Sequence, residues 1–213
     1  MRSGIFVTFE GPEGSGKTTQ VKLLAESLEQ QGVAYMTTRE PGGTDLADRL
    51  RSILIESETP LDAKTEFLLL LTARSHHVET AIRPALDEGK VVICDRFSDS
   101  SVCYQGAGRG INRDTIILLN DFATSGLAPD LTFLMDVPSE EGLDRLGRSN
   151  RGLARFEKEG LEFHRRVRDC YLELAAASPD RFVIIPAMRT VREVADDIYA
   201  ALWAAFPTLT KDR

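Results

Sequence analysis

A chain of 213 residues with 42% hydrophobic and 28% charged side chains buries a full core in one ordinary domain, without disulfide or metal staples. Its 26 Lys and Arg against 33 Asp and Glu leave a net charge of −7, which argues against a general binder of nucleic acid or of anionic membranes. The longest apolar run, 198–206, is less than half of the roughly 20 residues that span a bilayer, and Glu10, Glu13 and Lys17 interrupt any basic-plus-apolar leader.

In chain order, a strand is predicted over 5–10 and a helix over 18–31. A strand over 33–38, a loop over 40–45 (E-P-G-G-T-D) and a helix over 46–56 follow. A long helix over 65–88 carries Pro84, a candidate kink, and leads to a strand over 91–95. A Gly-rich loop over 106–112 precedes a helix over 114–125 and a strand over 131–136. The stretch 145–158 holds four arginines and a lysine with little apolar periodicity; a helix over 159–177, a strand over 182–185 and a helix over 191–206 complete the chain. Strands alternating with helices imply βαβ units, hence an α/β three-layer sandwich with a parallel sheet of about five strands.

Residues 11–18 read G-P-E-G-S-G-K-T, a full match to G-x-x-x-x-G-K-[ST], and they lie between a predicted strand and a predicted helix, as the motif requires. The glycines Gly11, Gly14 and Gly16 let backbone N–H groups turn inward around phosphate oxygens, and the helix N-terminus adds its positive end. Ser15 and Thr19 belong to the same cradle. Lys17 is placed for the β- and γ-phosphates of a nucleoside triphosphate, and Thr18 for Mg²⁺. Glu13 has two readings: an acceptor for a substrate hydroxyl or a group near Mg²⁺, against a solvated loop charge.

The apolar run 91–94 ends in Asp95-Arg96. Ligands of open α/β sheets sit at the carboxyl ends of strands, so Asp95 is a candidate to hold Mg²⁺ through water and Arg96 to clamp a phosphate; an ordinary surface pair is the other reading. No N-K-x-D segment is present to read guanine, and the chain is too short for the core of an ATP-driven machine. A kinase for a small acceptor remains, and it must screen charge on two anionic substrates. Arg39, Arg51, Arg74, Arg96 and the cluster Arg148, Arg151, Arg155 supply that charge. A kinase for a different acceptor and a non-catalytic nucleotide-binding regulator are the alternatives. His76, His77 and His164 form no metal or nucleophile set, and Cys94, Cys103 and Cys170, odd in number and without metal-ligand spacing, predict reduced thiols in a cytoplasmic protein.

Longer motifs narrow the choice. F-E-G at 9–11, T-R-E-P-G-G-T at 38–44, D-R-F-S-D-S-S at 95–101, Y-Q-G at 104–106, G-R-G at 108–110, R-F-E at 155–157 and G-L-E-F-H at 160–164 resemble bacterial thymidylate kinase, in family order and over nearly the whole chain. The resemblance implies a P-loop nucleoside monophosphate kinase fold and transfer of the γ-phosphoryl group of Mg·ATP to dTMP, for dTTP synthesis. It implies that Glu13 meets the sugar 3′-hydroxyl, that Tyr104 crowds out a 2′-hydroxyl, and that Glu40, Arg51 and Arg96 surround the acceptor phosphate. It further implies that Arg74 donates to thymine O4 beside Ser101 and Gln105. The small Ser15 implies a catalytic arginine from a lid at about 145–158, which brings positive charge and excludes water on closing. Family members are usually homodimers through a helix-packed face, for which apolar residues in 65–71 and 116–122 are candidates that read equally well as core. One departure stands out: the family usually stacks a phenylalanine on thymine four residues before the base-reading arginine, and this chain has Leu70, on one helix face with Arg74. Phe67 lies one turn earlier and reads first as core.

Overall fold

A computed structural model describes residues 3–55, 60–148 and 156–209. Its strands are β1 (Ile5–Glu10), β2 (Tyr35–Arg39), β3 (Val91–Asp95), β4 (Leu131–Asp136) and β5 (Phe182–Pro186), all parallel in the order β2-β3-β1-β4-β5. Helices α1 (Lys17–Gln30) and α9 (Val191–Ala205) cover one face. The longer helices α3 (Ala63–His77), α6 (Arg113–Thr124) and α8 (Leu161–Ala177) belong to the other side, with α2 (Asp45–Ile55), α4 (Arg83–Asp87), α5 (Ser98–Ser101) and α7 (Ser139–Gly147) in the connections.

Period-two alternation divides the central strands between two cores. Val91 and Ile93 of β3 join Val7 and Phe9 of β1 under α1 and α9, whereas Val92 and Cys94 join Phe6 on the opposite face against Val78, Ile82 and Leu86. Both faces are covered, so β3 reads as a continuous apolar run over 91–94 and β1 is apolar over 5–9 but for the buried Thr8. Each fully buried Val or Phe here contributes roughly 1.5–3 kcal/mol over its exposed state.

Local chemistry sets the helix ends. Asp62 caps α3 by accepting from the backbone N–H groups of Lys64 and Thr65, both at 3.0 Å, which starts the helix two residues before its apolar periodicity does. Thr190 and Glu193 form a reciprocal capping box at the start of α9. The predicted helix over 65–88 is interrupted: Val78–Ile82 winds as a π-helix in which the Arg83 N–H donates to the Val78 carbonyl, one residue ahead of Pro84, whose missing N–H cannot continue the regular ladder. A second π-helix, Val102–Gly108, takes the first half of the expected loop at 106–112. The helix α7 occupies a segment in which no helix was expected. Asp136, at the end of β4, accepts a bidentate pair from Arg168 of α8 at 2.8 and 2.9 Å, which pins that helix to the sheet's carboxyl edge. No described helix is long and apolar enough to cross a membrane.

Candidate active site

The chain runs from β1 outward to β2 and from β3 back across to β4, so β1 and β3 flank the point where the sheet order reverses. A ligand crevice is expected there. A cleft of about 1130 Å³ opens at that point, lined by Glu13–Thr19, by Arg39, Glu40 and Arg51, and by Leu70, Arg74, Arg96, Ser101, Tyr104 and Gln105. Its residues come from sequence positions scattered over most of the chain, and the sheet edge is what gathers them.

The phosphate loop forms one side. Gly11, Gly14 and Gly16 all have positive φ, the conformation that turns their amides inward. Gly14 also meets Gly142 of α7 backbone to backbone, so a Cβ at either position would strike main-chain oxygen. The Lys17 ammonium donates to the carbonyls of Gly11 (3.1 Å) and Pro12 (2.8 Å) and to Ser15 Oγ (3.0 Å). Burial, reinforced by the nearby Arg96 charge, lowers its pKa to about 8. The Thr18 hydroxyl donates to Asp95 Oδ2 at 2.7 Å, so these two oxygen ligands stand together at the loop's exit.

Arg96 joins the two halves of the cleft. It has φ 71°, a left-handed conformation that costs about 1–3 kcal/mol for a non-glycine residue and persists only where its surroundings hold it. They do: NH1 donates to the Gly11 carbonyl at 2.9 Å, and NH2 donates to Glu13 Oε1 at 2.8 Å and Tyr104 Oη at 3.0 Å. Burial opposes the charge on Arg96, but Glu13 and its other neighbours raise its pKa well above the usual value. Burial likewise works against the Glu13 carboxylate, and Arg96 and Lys17 more than offset it, holding the acid below its ordinary range. Glu13 therefore stays ionised, accepting from the Tyr104 hydroxyl at 2.9 Å.

The far end of the cleft is built around Arg74. Its guanidinium donates to Glu40 Oε2 (2.7 Å), Ser101 Oγ (2.9 Å), the Phe97 carbonyl (3.1 Å) and Asn120 Oδ1. The second Glu40 oxygen pairs with His77 Nδ1 at 3.2 Å, so Glu40 buttresses Arg74 from behind. Leu70 lies one turn from Arg74 and lines the same wall, while Phe67 packs in the core with Val102, Tyr104 and Phe163. Gln105 donates to Glu66 Oε1 at 3.0 Å, and Glu66 also receives Arg109. The Arg51 guanidinium is fixed by the Pro41 carbonyl at 2.9 Å.

The structure thus brings Glu13, Ser15, Gly16, Lys17, Thr18, Thr19, Glu40, Arg51, Leu70, Arg74, Asp95, Arg96, Ser101, Tyr104 and Gln105 to one cleft. Gly11 stands behind it, offering its carbonyl to Lys17 and Arg96. Of the arginine-rich segment, Arg148 is exposed just beyond α7, and Arg151 and Arg155 lie outside the described residues. Arg145 is a cleft residue that sequence reasoning left as part of a basic stretch. It donates to the Gly14 carbonyl (3.4 Å) and the Ala187 carbonyl (3.0 Å), tying the phosphate loop to the turn after β5. With no helix expected over α7, the sequence carried no signal that set Arg145 apart from its basic neighbours.

This topology, with a phosphate loop at the point where strand order reverses and an arginine-lined acceptor side, defines a P-loop kinase fold. The thymidylate kinase family model matches residues 9–198, and the chain belongs to that family. It is 49% identical over 207 residues to the thymidylate kinase of Geotalea uraniireducens, covering 94% of this chain and 97% of that one. It is 46% identical over 201 residues to that of Pseudomonas fluorescens, covering 94% and 95%. The crystal structure of thymidylate kinase from Ehrlichia chaffeensis superposes with a TM-score of 0.77 at 36% identity, over 94% of this chain and 99% of that one.

Proposed function

We propose that this protein is a dTMP kinase, transferring the γ-phosphoryl group of ATP to dTMP with release of dTDP and ADP. The observation that carries the reading is Arg96, which links the phosphate loop, at Gly11 and Glu13, to Tyr104 on the acceptor side within one cleft. Phosphoryl transfer needs positioning and charge stabilisation more than a protein nucleophile. Lys17 leaves the loop carbonyls to meet the β- and γ-phosphates; Arg96 bridges donor and acceptor phosphates; the exposed Arg148, with Arg151 and Arg155, closes over the developing charge as a lid at about 145–158 on an otherwise single kinase domain. Glu13 orients the sugar through its 3′-hydroxyl. Arg74, Ser101 and Gln105 read the base edge above Leu70, and Arg51 meets the acceptor phosphate. Arg145, between the phosphate loop and the turn after β5, borders the adenine.

Thr18 and Asp95 fit Mg²⁺, since both offer hard oxygen donors at the loop's exit with room for water and phosphate oxygens. Bound there, the ion would neutralise charge on the β- and γ-phosphates. The buried, free thiols Cys94, Cys103 and Cys170 suit a reducing cytoplasm. The exposed apolar residues of α3 and α6 support a homodimer.

The test is ADP release coupled to a panel of acceptors: dTMP, dUMP, the ribonucleotide of thymine, dCMP, dGMP and AMP. Strong turnover with dTMP and weaker turnover with dUMP is expected. Preference for another acceptor would retain the kinase and refute the roles given to Arg74, Ser101 and Gln105. Acceptor-independent hydrolysis alone would refute the kinase.

A further inference from the structure

Glu10, the last residue of β1, lies behind the cleft and is fully buried. Its Oε1 accepts the backbone N–H of Phe97 at 2.7 Å. Its Oε2 accepts the Ser100 hydroxyl at 2.6 Å and the Tyr171 hydroxyl at 2.8 Å. Those same two hydroxyl oxygens receive NH1 of Arg96, at 3.3 Å for Ser100 and 3.2 Å for Tyr171.

Each hydroxyl has a single proton, which decides what it can offer Arg96. An ionised Glu10 draws both protons to Oε2, and both oxygens then turn lone pairs toward NH1. A neutral Glu10 places its own proton on one hydroxyl oxygen. The proton displaced there must point at the other hydroxyl, 2.8 Å away, or at the arginine. The backbone is held by the same carboxylate: the Arg96 N–H donates to the Phe9 carbonyl at 2.9 Å while Glu10 grips the next N–H, so both peptides around the left-handed residue are tied to the end of β1.

We propose that Glu10 is a positioning residue for Arg96: its ionised carboxylate orients the Ser100 and Tyr171 hydroxyls and thereby fixes the guanidinium that bridges the two phosphates. It touches no substrate, and its role rests on the phosphoryl-transfer reading above. Burial, followed by the Asp99 charge, raises its pKa to about 7, against the pull of Ser100, Arg96 and Phe97. The charged and titratable groups around it are Asp99 of α5, itself paired with Arg181 at 2.7 and 2.9 Å, Arg96, Lys17 of α1, Tyr171 of α8 and the thiols Cys94 and Cys103. The switch between its two forms therefore falls inside the working pH range.

The experiment compares wild type, E10Q, E10D and Y171F in steady-state kinetics with Mg·ATP and dTMP from about pH 5.5 to 9, beside thermal melts of each full chain. The acid limb of wild-type kcat is expected to rise through about pH 7, as the carboxylate forms, while loss of the Lys17 proton near 8 shapes only the alkaline side. In E10Q the amide faces the two hydroxyls as a donor. The limb is expected to vanish and kcat to fall about tenfold or more, with KM for ATP within about threefold. E10D restores part of the limb. Y171F removes a donor to the carboxylate, which raises its pKa and moves the limb to higher pH. An E10Q enzyme with the wild-type limb overturns the proposal, whether its kcat is normal or has fallen only with the folded fraction. If E10Q does not fold, a limb unmoved in Y171F overturns it. A wild type that shows no dTMP-dependent ADP release overturns the functional reading and the proposal with it, and is distinguished by failing before any substitution is made.

Discussion

Lys17 occupies its three donors with the loop's own oxygens while sitting buried beside Arg96. A lysine depressed to about 8 in the fold and near 10.5 when unfolded is held charged at neutral pH at a cost to stability. That cost is fully present below pH 8 and fades as pH rises toward 10.5, because there the unfolded chain binds more protons. Lys17→Met is therefore expected to abolish turnover while the melting temperature at pH 7 holds or rises. A clear drop in melting temperature would make Lys17 a structural residue. Arg96 differs, because geometry matters there as much as charge. Arg96→Lys keeps the cation but loses the planar fork that reaches Gly11, Glu13 and Tyr104 together. We expect kcat/KM for dTMP to fall by about 10²-fold or more, which is roughly 3 kcal/mol of transition-state stabilisation. A tenfold loss or less would place the function of Arg96 in its charge alone.

At the level of elements, legibility followed the range of the interactions. The phosphate loop was readable in full, because glycine spacing and a strand-loop-helix context are local properties. The central strands were readable because they are covered on both faces: β3 is apolar over 91–94, and β1 and β4 are apolar but for one buried threonine each, Thr8 and Thr132, before their acidic ends. What was hidden depends on contacts made across the chain. The end of the π-helix Val102–Gly108 fell in a predicted glycine-rich loop at 106–112 and its first four residues had no predicted element, yet it sets Tyr104 against Glu13 and Gln105 against Glu66. Glu10 read as the polar end of a strand, because its partners Phe97, Ser100 and Tyr171 lie 87 to 161 residues away. Arg145 was hidden in a basic stretch because α7 has only nine residues, with Leu143 and Leu146 as its large apolar side chains. Within α3, the pairing of Leu70 with Arg74 was readable from spacing, and the cleft wall includes both. Leu70→Phe is expected to tighten dTMP binding by up to about 1 kcal/mol, near fivefold in Kd, if a ring stacks on the base there. Calorimetric titration of dTMP measures it; weaker binding would show that the wall has no room for the ring.

On the scale of the whole molecule, the cleft and the outer surface share a scaffold. The helix α3 turns Leu70 and Arg74 inward and leaves Leu68 exposed, and α6 turns Asn120 inward against Arg74 while exposing Ile117, Leu118 and Phe122, the last at 82% of its full surface. Scattered apolar residues need no explanation, but three large ones exposed along α6, the helix that packs on α3, do. A second copy of this chain docked on that face would press α3 and α6 together behind Arg74. The Phe122→Glu substitution puts a charge at the most exposed point of the face and should leave the fold intact, since the side chain contacts little within its own chain. Sedimentation is expected to show a wild-type dimer at micromolar concentration and a monomer for the variant. Because Asn120 and Arg74 are held by the two helices that the proposed interface would brace, KM for dTMP should rise in the monomer while KM for ATP, governed by the phosphate loop on the far side of Arg96, stays near the wild-type value. A wild type that sediments as a monomer would remove the dimer. A dimeric wild type whose monomeric variant keeps both KM values would leave assembly intact but uncouple it from base recognition.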